Sequence, residues 1–375
     1  MTATASAAPL ARRDPRLIWG GVAIVVVVLA LLALALDVPY LGSFVDWLIN
    51  RVPPLSYLIV QYAVPIAYGA LCGLMCERAG VVNVGIEGMI LTSAFVAFLT
   101  GAYLHSVVGA PFAAIIAIGV AIVASMLLST LHAWLSITIK ADQIISGTVI
   151  NILALGGTAF FNQLLVSTTG LSGTNTLPRF DVPNEIATIP LIGPIVNALF
   201  NQGPIAMGLI LAVIFLQVML FRSRWGLRTR AVGEHPKAAD TVGIDVYRTR
   251  YRSVILGGVF AGLAGAYLTL ELFNSFQDNM TGGVGFIGLA AVIFGRYTPL
   301  GAYGAALLFG TVQSMQLAVR ISPPVGDLGA IISTIPPQIV GMLPYIFTII
   351  VLAGVVGRTI PPAADGIPYD KEARG

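Results

Sequence analysis

The sequence predicts an all-α, polytopic membrane protein of about ten transmembrane helices, and three observations lead there. Of its 375 residues, 57% are hydrophobic and only 10% are charged. No soluble domain buries that much apolar surface, so the bilayer has to be the solvent. The apolar residues fall into repeated runs of spanning length, about 20 residues each. The basic residues instead crowd into one stretch, FRSRWGLRTRAVGEHPKAADTVGIDVYRTRYRS (221–253), which the positive-inside rule places in the cytoplasm.

The spans read, in order, as residues 17–36, 55–76, 88–104, 111–137, 143–165, 204–221, 253–273, 284–295, 300–319 and 336–356. The first follows Arg12-Arg13 and runs to Ala33-Leu34-Ala35. It reads as a signal segment or as an uncleaved helix, and its length favours the helix. The eighth is short for a full crossing. Arg12, Arg13 and Arg16 place residues 1–16 inside as a tail, and Lys140, the basic loop 222–252, Arg296 and Arg358 then fall inside too. Arg51 and Arg320 are isolated exceptions. The loop 166–203 holds one basic residue, Arg179, and falls outside. The transmembrane domain is thus 17–358. Both termini are cytoplasmic, and the polar, Pro-rich tail 359–375 is expected to be disordered.

The short segments VGIEGM (84–89) and VGFIGL (284–289) resemble one another. They begin helices of opposite direction in this topology, the sign of an inverted repeat; chance similarity in a Gly-rich membrane protein is the other reading.

Several chemistries are missing. The three lysines, Lys140, Lys237 and Lys371, do not follow glycine, so no GxxxxGK[ST] phosphate loop exists. His105, His132 and His235 are scattered and form no metal-spaced set, and no nucleophile–base signature appears. No cofactor is expected and nothing points to nucleic acid. Cys72 and Cys76 sit one turn apart in an apolar segment, as small buried residues.

Two segments carry functional signal. Gly233, Glu234, His235, Pro236, Lys237, Ala238 and Ala239, followed by Gly243, spell a short helix over 234–242 with Pro in its first turn and Gly as its stop. In a cytoplasmic loop, such a helix is a handle for a soluble partner. The second segment, ERAGVVNVGIEG (77–88), places three glycines and two acids between apolar helices. It reads as an ordinary charged cytoplasmic turn, or as a break lining a solute path with Asn83 and Glu87 presenting polar groups. Gln143, Gly147 and Asn151 form a polar stripe on the fifth span, and Gln313 and Gln316 share a face of the ninth. These amides are interhelical hydrogen-bonding glue or part of a cavity. Gly258, Gly262 and Gly265 make a small-residue face for close helix approach.

The run ERAGVVNVGIEGMILTSAF (77–95), the loop GLRTRAVGEHPKAADTVGI (226–244) and the Gly-rich region 282–304 together resemble permease subunits of ATP-binding cassette importers for nucleosides and simple sugars, with branched-chain amino acid permeases as a looser analogue. The resemblance covers roughly residues 57–358. It implies a ten-helix importer half with broken helices. It also implies a second permease subunit, homologous or identical, separate ATPase subunits that hydrolyse ATP, and an extracytoplasmic binding protein of lipoprotein type. The helix at Gly233–Gly243 then docks into the ATPase as the coupling helix. His235 stands where an asparagine is commoner. The expected path for a neutral polar solute is lined by Asn83, Glu87, Asn151 and Gln313. A secondary transporter is the competing class, and it needs a deep acid, for which Glu87 is the candidate.

Overall fold

Helix boundaries follow local chemistry. The computed structural model describes residues 55–166, 177–187, 189, 192–343 and 359–371, with a few positions beside them (43, 44, 46, 47, 345, 346 and 349). The expected first span, 17–36, the N-terminal tail and, within 336–356, residues 344, 347, 348 and 350–356 lie outside the described residues.

Among the described residues, six helices are long and apolar enough to cross a membrane. They are α1 (Tyr57–Glu77), α2 (Ile86–Val108), α3 (Ala110–Ala133, continued by a wider π turn to Thr138), α4 (Gln143–Phe161, with a π turn at Asn162–Val166), α6 (Pro204–Arg222) and α9 (Val246–Tyr267, with a π turn at Leu268–Leu272). Helix α5 (Ile192–Phe200) precedes α6, and α7 (Arg224–Glu234) and α8 (Pro236–Thr241) precede α9. Then come α10 (Val284–Phe294), α11 (Pro299–Ile321), α12 (Asp327–Thr334) and α13 (Pro337–Gly341). Ten crossings are therefore not what the described residues show. Helix α10 is 11 residues long, about 16 Å at 1.5 Å per residue, too short for a core of about 30 Å. Helix α11 forms as expected, but Gln313, Ser314 and Gln316 make it less apolar than the six.

The span expected at 253–273 begins two turns earlier, because Asp245 caps it. Its carboxylate accepts the Arg248 N–H at 2.9 Å, the local signal that starts helices. Asp142 starts α4 in the same way, accepting from Ile144 and Ile145. The basic loop is mostly helical rather than a single short helix in coil.

Contacts divide the chain into two units, Leu55–Gln316 with Gly341–Gly375, and Met1–Pro54 with Leu317–Val340. In the second, the Trp47 indole donates to the Ser322 carbonyl at 2.6 Å. In the first, α1 is the buried axis: Ile66, Ala67, Tyr68, Leu71, Leu74 and Met75 are all at most 1% exposed. Helices α2, α6, α9 and α10 pack on it, and α3 packs on α2 and α9.

Small residues permit this density. A Cβ on Gly262 would lie 2.6 Å from the Ile122 Cα of α3, one on Gly258 would lie 2.7 Å from Ser129 Cβ, and one on Gly265 would run into Ser93 and the Ile90 carbonyl of α2. The expected small-residue face of α9 is thus used on two sides. Cys72 and Cys76 are free and buried, as anticipated.

The C-terminal tail departs from expectation. Residues 359–371 are ordered against the basic loop instead of disordered. The Ala364 N–H donates to Gly233 O at 2.9 Å, Arg250 Nη1 to Ile367 O at 2.9 Å and Tyr247 Oη to Tyr369 O at 3.2 Å. Tyr369 is 6% exposed and meets the Tyr247 ring edge-on, 5.5 Å between centroids. Burial raises the Asp365 carboxyl to about 7, offset in part by the Gly366 N–H and the Arg250 guanidinium; Glu77 and Tyr297 also face it.

Two outcomes follow. Gly262→Val should cost about 1–3 kcal/mol by overpacking and lower the Tm of the detergent-solubilised protein; an unchanged Tm would show that α3 and α9 separate freely. A raised folded-state pKa favours the proton-bound tail. That contribution is full below about pH 4 and is lost as pH rises through about 7. Protease protection of the tail should therefore fall between about pH 4 and 7 in the native chain and stay flatter in Asp365→Asn.

Candidate functional site: a helix break inside the membrane layer

After α1 ends at Glu77 the chain does not leave the core. Gly80, at φ +80°, turns it back, a backbone geometry that glycine adopts without strain. Residues 81–83 are non-helical, and α2 starts at Ile86. The depth of that start follows from its neighbours. A Cβ on Gly69 would lie 3.8 Å from Ile86 Cγ2 and 3.9 Å from Gly285 Cα, while the Arg78 Nε donates to Tyr297 O at 2.8 Å. A Cβ on Gly73 would lie 3.2 Å from Ile86 Cδ1, and Gly73 and Gly69 stand four and eight residues before Glu77 in α1, about 6 and 12 Å along the axis. Helices α2 and α10 therefore both begin well inside the apolar layer and run in opposite directions, α10 alongside α1. The VGIEGM and VGFIGL segments are in contact at these two starts.

Broken backbone at that depth must find partners within the protein. It finds side chains. Glu87 is 8% exposed. Its Oε1 accepts the Gly283 N–H at 2.8 Å and its Oε2 the Gly285 N–H at 2.6 Å, so a carboxylate caps the positive end of α10. Asn151 of α4 accepts the Gly88 N–H at 2.8 Å and donates to Val84 O at 3.0 Å. Gln143 Oε1 accepts the Val82 N–H at 2.7 Å, and His132 Nε2 lies 3.0 Å from Val82 O, with Nδ1 3.1 Å from Ser146 Oγ. Asn83 is fully buried. Its Oδ1 accepts the Gly85 N–H at 3.1 Å, and its amide nitrogen faces Cys76 Sγ and Met89 Sδ, each at 3.6 Å.

The Gln143–Gly147–Asn151 stripe, expected as glue or cavity, is thus the face that holds the break. Gly147 approaches so closely that its Cβ would lie 2.6 Å from Gly85 N. Gln313 is half-buried on α11 and makes none of the contacts that join Asn83, Glu87 and Asn151 to the break.

Glu87 is not the only deep acid. Glu271, 2% exposed, accepts the Ile205 N–H at 2.8 Å and the Ala206 N–H at 3.2 Å, capping α6 as Glu87 caps α10. It was visible in the sequence as an acid inside the seventh span. His132 was visible only as an isolated histidine, because its partner Val82 lies 50 residues away.

The basic segment is built next to the break. Helix α7 ends at Glu234, His235 adopts φ −141°, and α8 runs from Pro236 to Thr241, shorter than the expected 234–242. His235 makes no side-chain cap. Gly243, at φ +82°, stops the helix, with Ile244 N–H on Ala239 O at 3.0 Å. Ala238 is exposed, whereas Ala239 is 3% exposed and packs with Val232, Val246 and Tyr369. Leu227 and Val242 stand outward at 61% and 75% exposure. Gly233 meets the Arg78 carbonyl so closely that a side chain there would collide with it. Arg78 and Arg230 both lie over the Phe221 ring, at 5.6 and 5.0 Å, and burial with the Arg230 charge lowers the Arg78 pKa.

If these side chains brace the break, Glu87→Ala should cost about 1–3 kcal/mol for each N–H left unpaired. Glu87→Gln, which keeps one acceptor, should cost less. Asn151→Leu should lower the Tm in the same way, and a Tm equal to that of the native chain in all three would remove the bracing role.

Residues 56–360 match the family described as branched-chain amino acid transport system / permease component. The chain is 39% identical over 320 residues to the guanosine ABC transporter permease protein NupQ of Bacillus subtilis, covering 84% of this chain and 95% of the relative. It is 37% identical to the nucleoside ABC transporter permease protein NupC of Lactococcus lactis (83% and 94%). It is 36% identical to a putative glucose ABC transporter permease protein of Haloferax volcanii (80% and 91%). A second permease protein from each of these organisms matches more distantly, at 25%, 27% and 26% identity over 68%, 46% and 76% of this chain.

Proposed function

This chain belongs to the branched-chain amino acid transport system / permease component family, a multi-pass membrane permease family, and from that premise we propose that it forms half of the translocation path of an ATP-driven nucleoside importer. The observation that carries the proposal is the contact between Gly233, beside the exposed helix α8, and Arg78, at the start of the break. A partner that moves α8 is one residue contact away from the turn that leads into the start of α2. That is the geometry required of a permease whose energy comes from another subunit.

The assignment of nucleoside as substrate is supported by the guanosine and nucleoside permeases among the relatives. A neutral polar solute also fits a site whose buried acids Glu87 and Glu271 are already committed to helix ends. Asn151 and Gln313, both half-buried, line the path, and Asn83 and Glu87 act on it by holding the break. The partners are ATPase subunits at α8, an extracytoplasmic binding protein and a second permease. The paired permeases of the three related organisms favour a non-identical one. The VGIEGM and VGFIGL starts are the corresponding points of an inverted repeat. The termini and α8 face the cytoplasm.

Three experiments test this reading. Proteoliposomes holding the assembled complex should accumulate labelled guanosine only with ATP inside and binding protein outside. Glucose uptake instead would reassign the substrate, and uptake driven by an ion gradient without the ATPase would make the chain a secondary transporter. Ala238→Trp should abolish ATPase co-purification while the permease still inserts; unaltered co-purification would remove α8 from the interface. Thr241→Cys should react with an impermeant thiol reagent only after permeabilisation, and Asp181→Cys without it. The reverse pattern would invert the topology.

A further inference from the structure

The ordered C-terminal tail touches every part of the cytoplasmic machinery at once. Its Ala364 N–H is bound by Gly233 O at 2.9 Å, and the Ala363 N–H by Glu234 Oε2 at 3.2 Å, both at the end of α7. Tyr369 packs under α8 with Ala239 and Val232. Lys371 pairs with Asp240 of α8 at 3.6 Å, and Asp370 with Lys140, before α4, at 3.2 Å. Arg250 and Tyr247 of α9 donate to its carbonyls. On its inner side it lies on the break itself: a Cβ on Gly80 would be 2.9 Å from Ala364 O, and one on Gly366 would be 3.4 Å from Val82 Cγ2.

Ordering a polar tail costs about 1–2 kcal/mol per residue in backbone entropy. Pro361, Pro362 and Pro368 reduce that cost by restricting the undocked chain. The exposed ion pairs contribute little. The buried Tyr369 ring, the carbonyls held by Arg250 and Tyr247, and the Ala364 N–H held by Gly233 O are the anchors. These anchors join elements otherwise linked, around Gly233, by its close contact with the Arg78–Gly80 turn. A tail ordered by contacts to α7, α8, α9 and the break at the same time constrains them to move together.

We propose that residues 359–371 are a clasp that holds the coupling helix against the membrane-depth break, so that displacement of α8 is transmitted to the start of α2. The clasp stays docked through the cycle; it is a linkage, not a brake. It rests on the reading of α8 as the coupling helix.

The test uses the assembled complex in proteoliposomes, with ATP hydrolysis and guanosine uptake measured together. Truncation after Thr359 should leave the ATPase bound and hydrolysing. It should lower uptake per ATP by at least about fivefold, the low end for coupling between separate sites. Tyr369→Ala, which removes the buried anchor without shortening the chain, should do the same and carries the test if the truncated chain fails to assemble. Joining Lys140→Cys to Asp370→Cys with a short thiol cross-linker should leave uptake intact. Unchanged uptake per ATP in an assembled complex with Tyr369→Ala, or uptake abolished by the cross-link, overturns the proposal. Failure of the α8 reading is separately visible, as Ala238→Trp that still co-purifies with the ATPase.

Discussion

Backbone N–H groups freed inside an apolar layer have no water to turn to, and this constraint organises the protein. An unpaired buried amide costs about 1–3 kcal/mol, so a helix can start at membrane depth only where a side chain waits for its first turn. Glu87 waits for α10, Glu271 for α6, and Asn151 with Gln143 and Asn83 for the approach to α2. The same pairing solves a second difficulty. A carboxylate at this depth is expensive on its own, and the positive end of a helix is the partner it needs.

Close packing follows from the break. The caps reach their targets only if the helices lie nearly in contact, and glycine makes that possible at Gly147 against Gly85, at Gly88 against Ile150 and at Gly285 against Glu87. On the far side, Gly258, Gly262 and Gly265 let α9 lie against α2 and α3. Around the break, glycine sets the distances and the polar residues use them.

Helices α7 and α8 join this framework to the protein surface. Helix α8 is small, six residues, and owes its position to neighbours rather than to its own hydrogen bonds. Ala239 is turned inward and Ala238 outward, so the alanine pair is shared between internal packing and the exposed surface. The seat of α8 is built from Val232, Val246 and Tyr369, residues from three separate stretches of the chain.

Much of this was legible in the sequence. Composition and apolar run length determined the membrane class, because burial of a side chain in lipid depends on its own chemistry. Gly243 as a helix stop, the small face of α9 and the Gln143–Asn151 stripe were readable for the same reason: each expresses a local period or a local backbone preference. Tertiary structure alone decided the rest. Whether Glu87 faces a solute or a helix end depends on Gly283 and Gly285, nearly 200 residues away. Whether a Pro-rich tail is ordered depends on Tyr247, Arg250 and Gly233. Whether residues 77–88 form a surface turn or a break within the core depends on α10 and α4 packing beside them. In each case the partner of a polar group is chosen by chain topology, and no local pattern of residues carries that information.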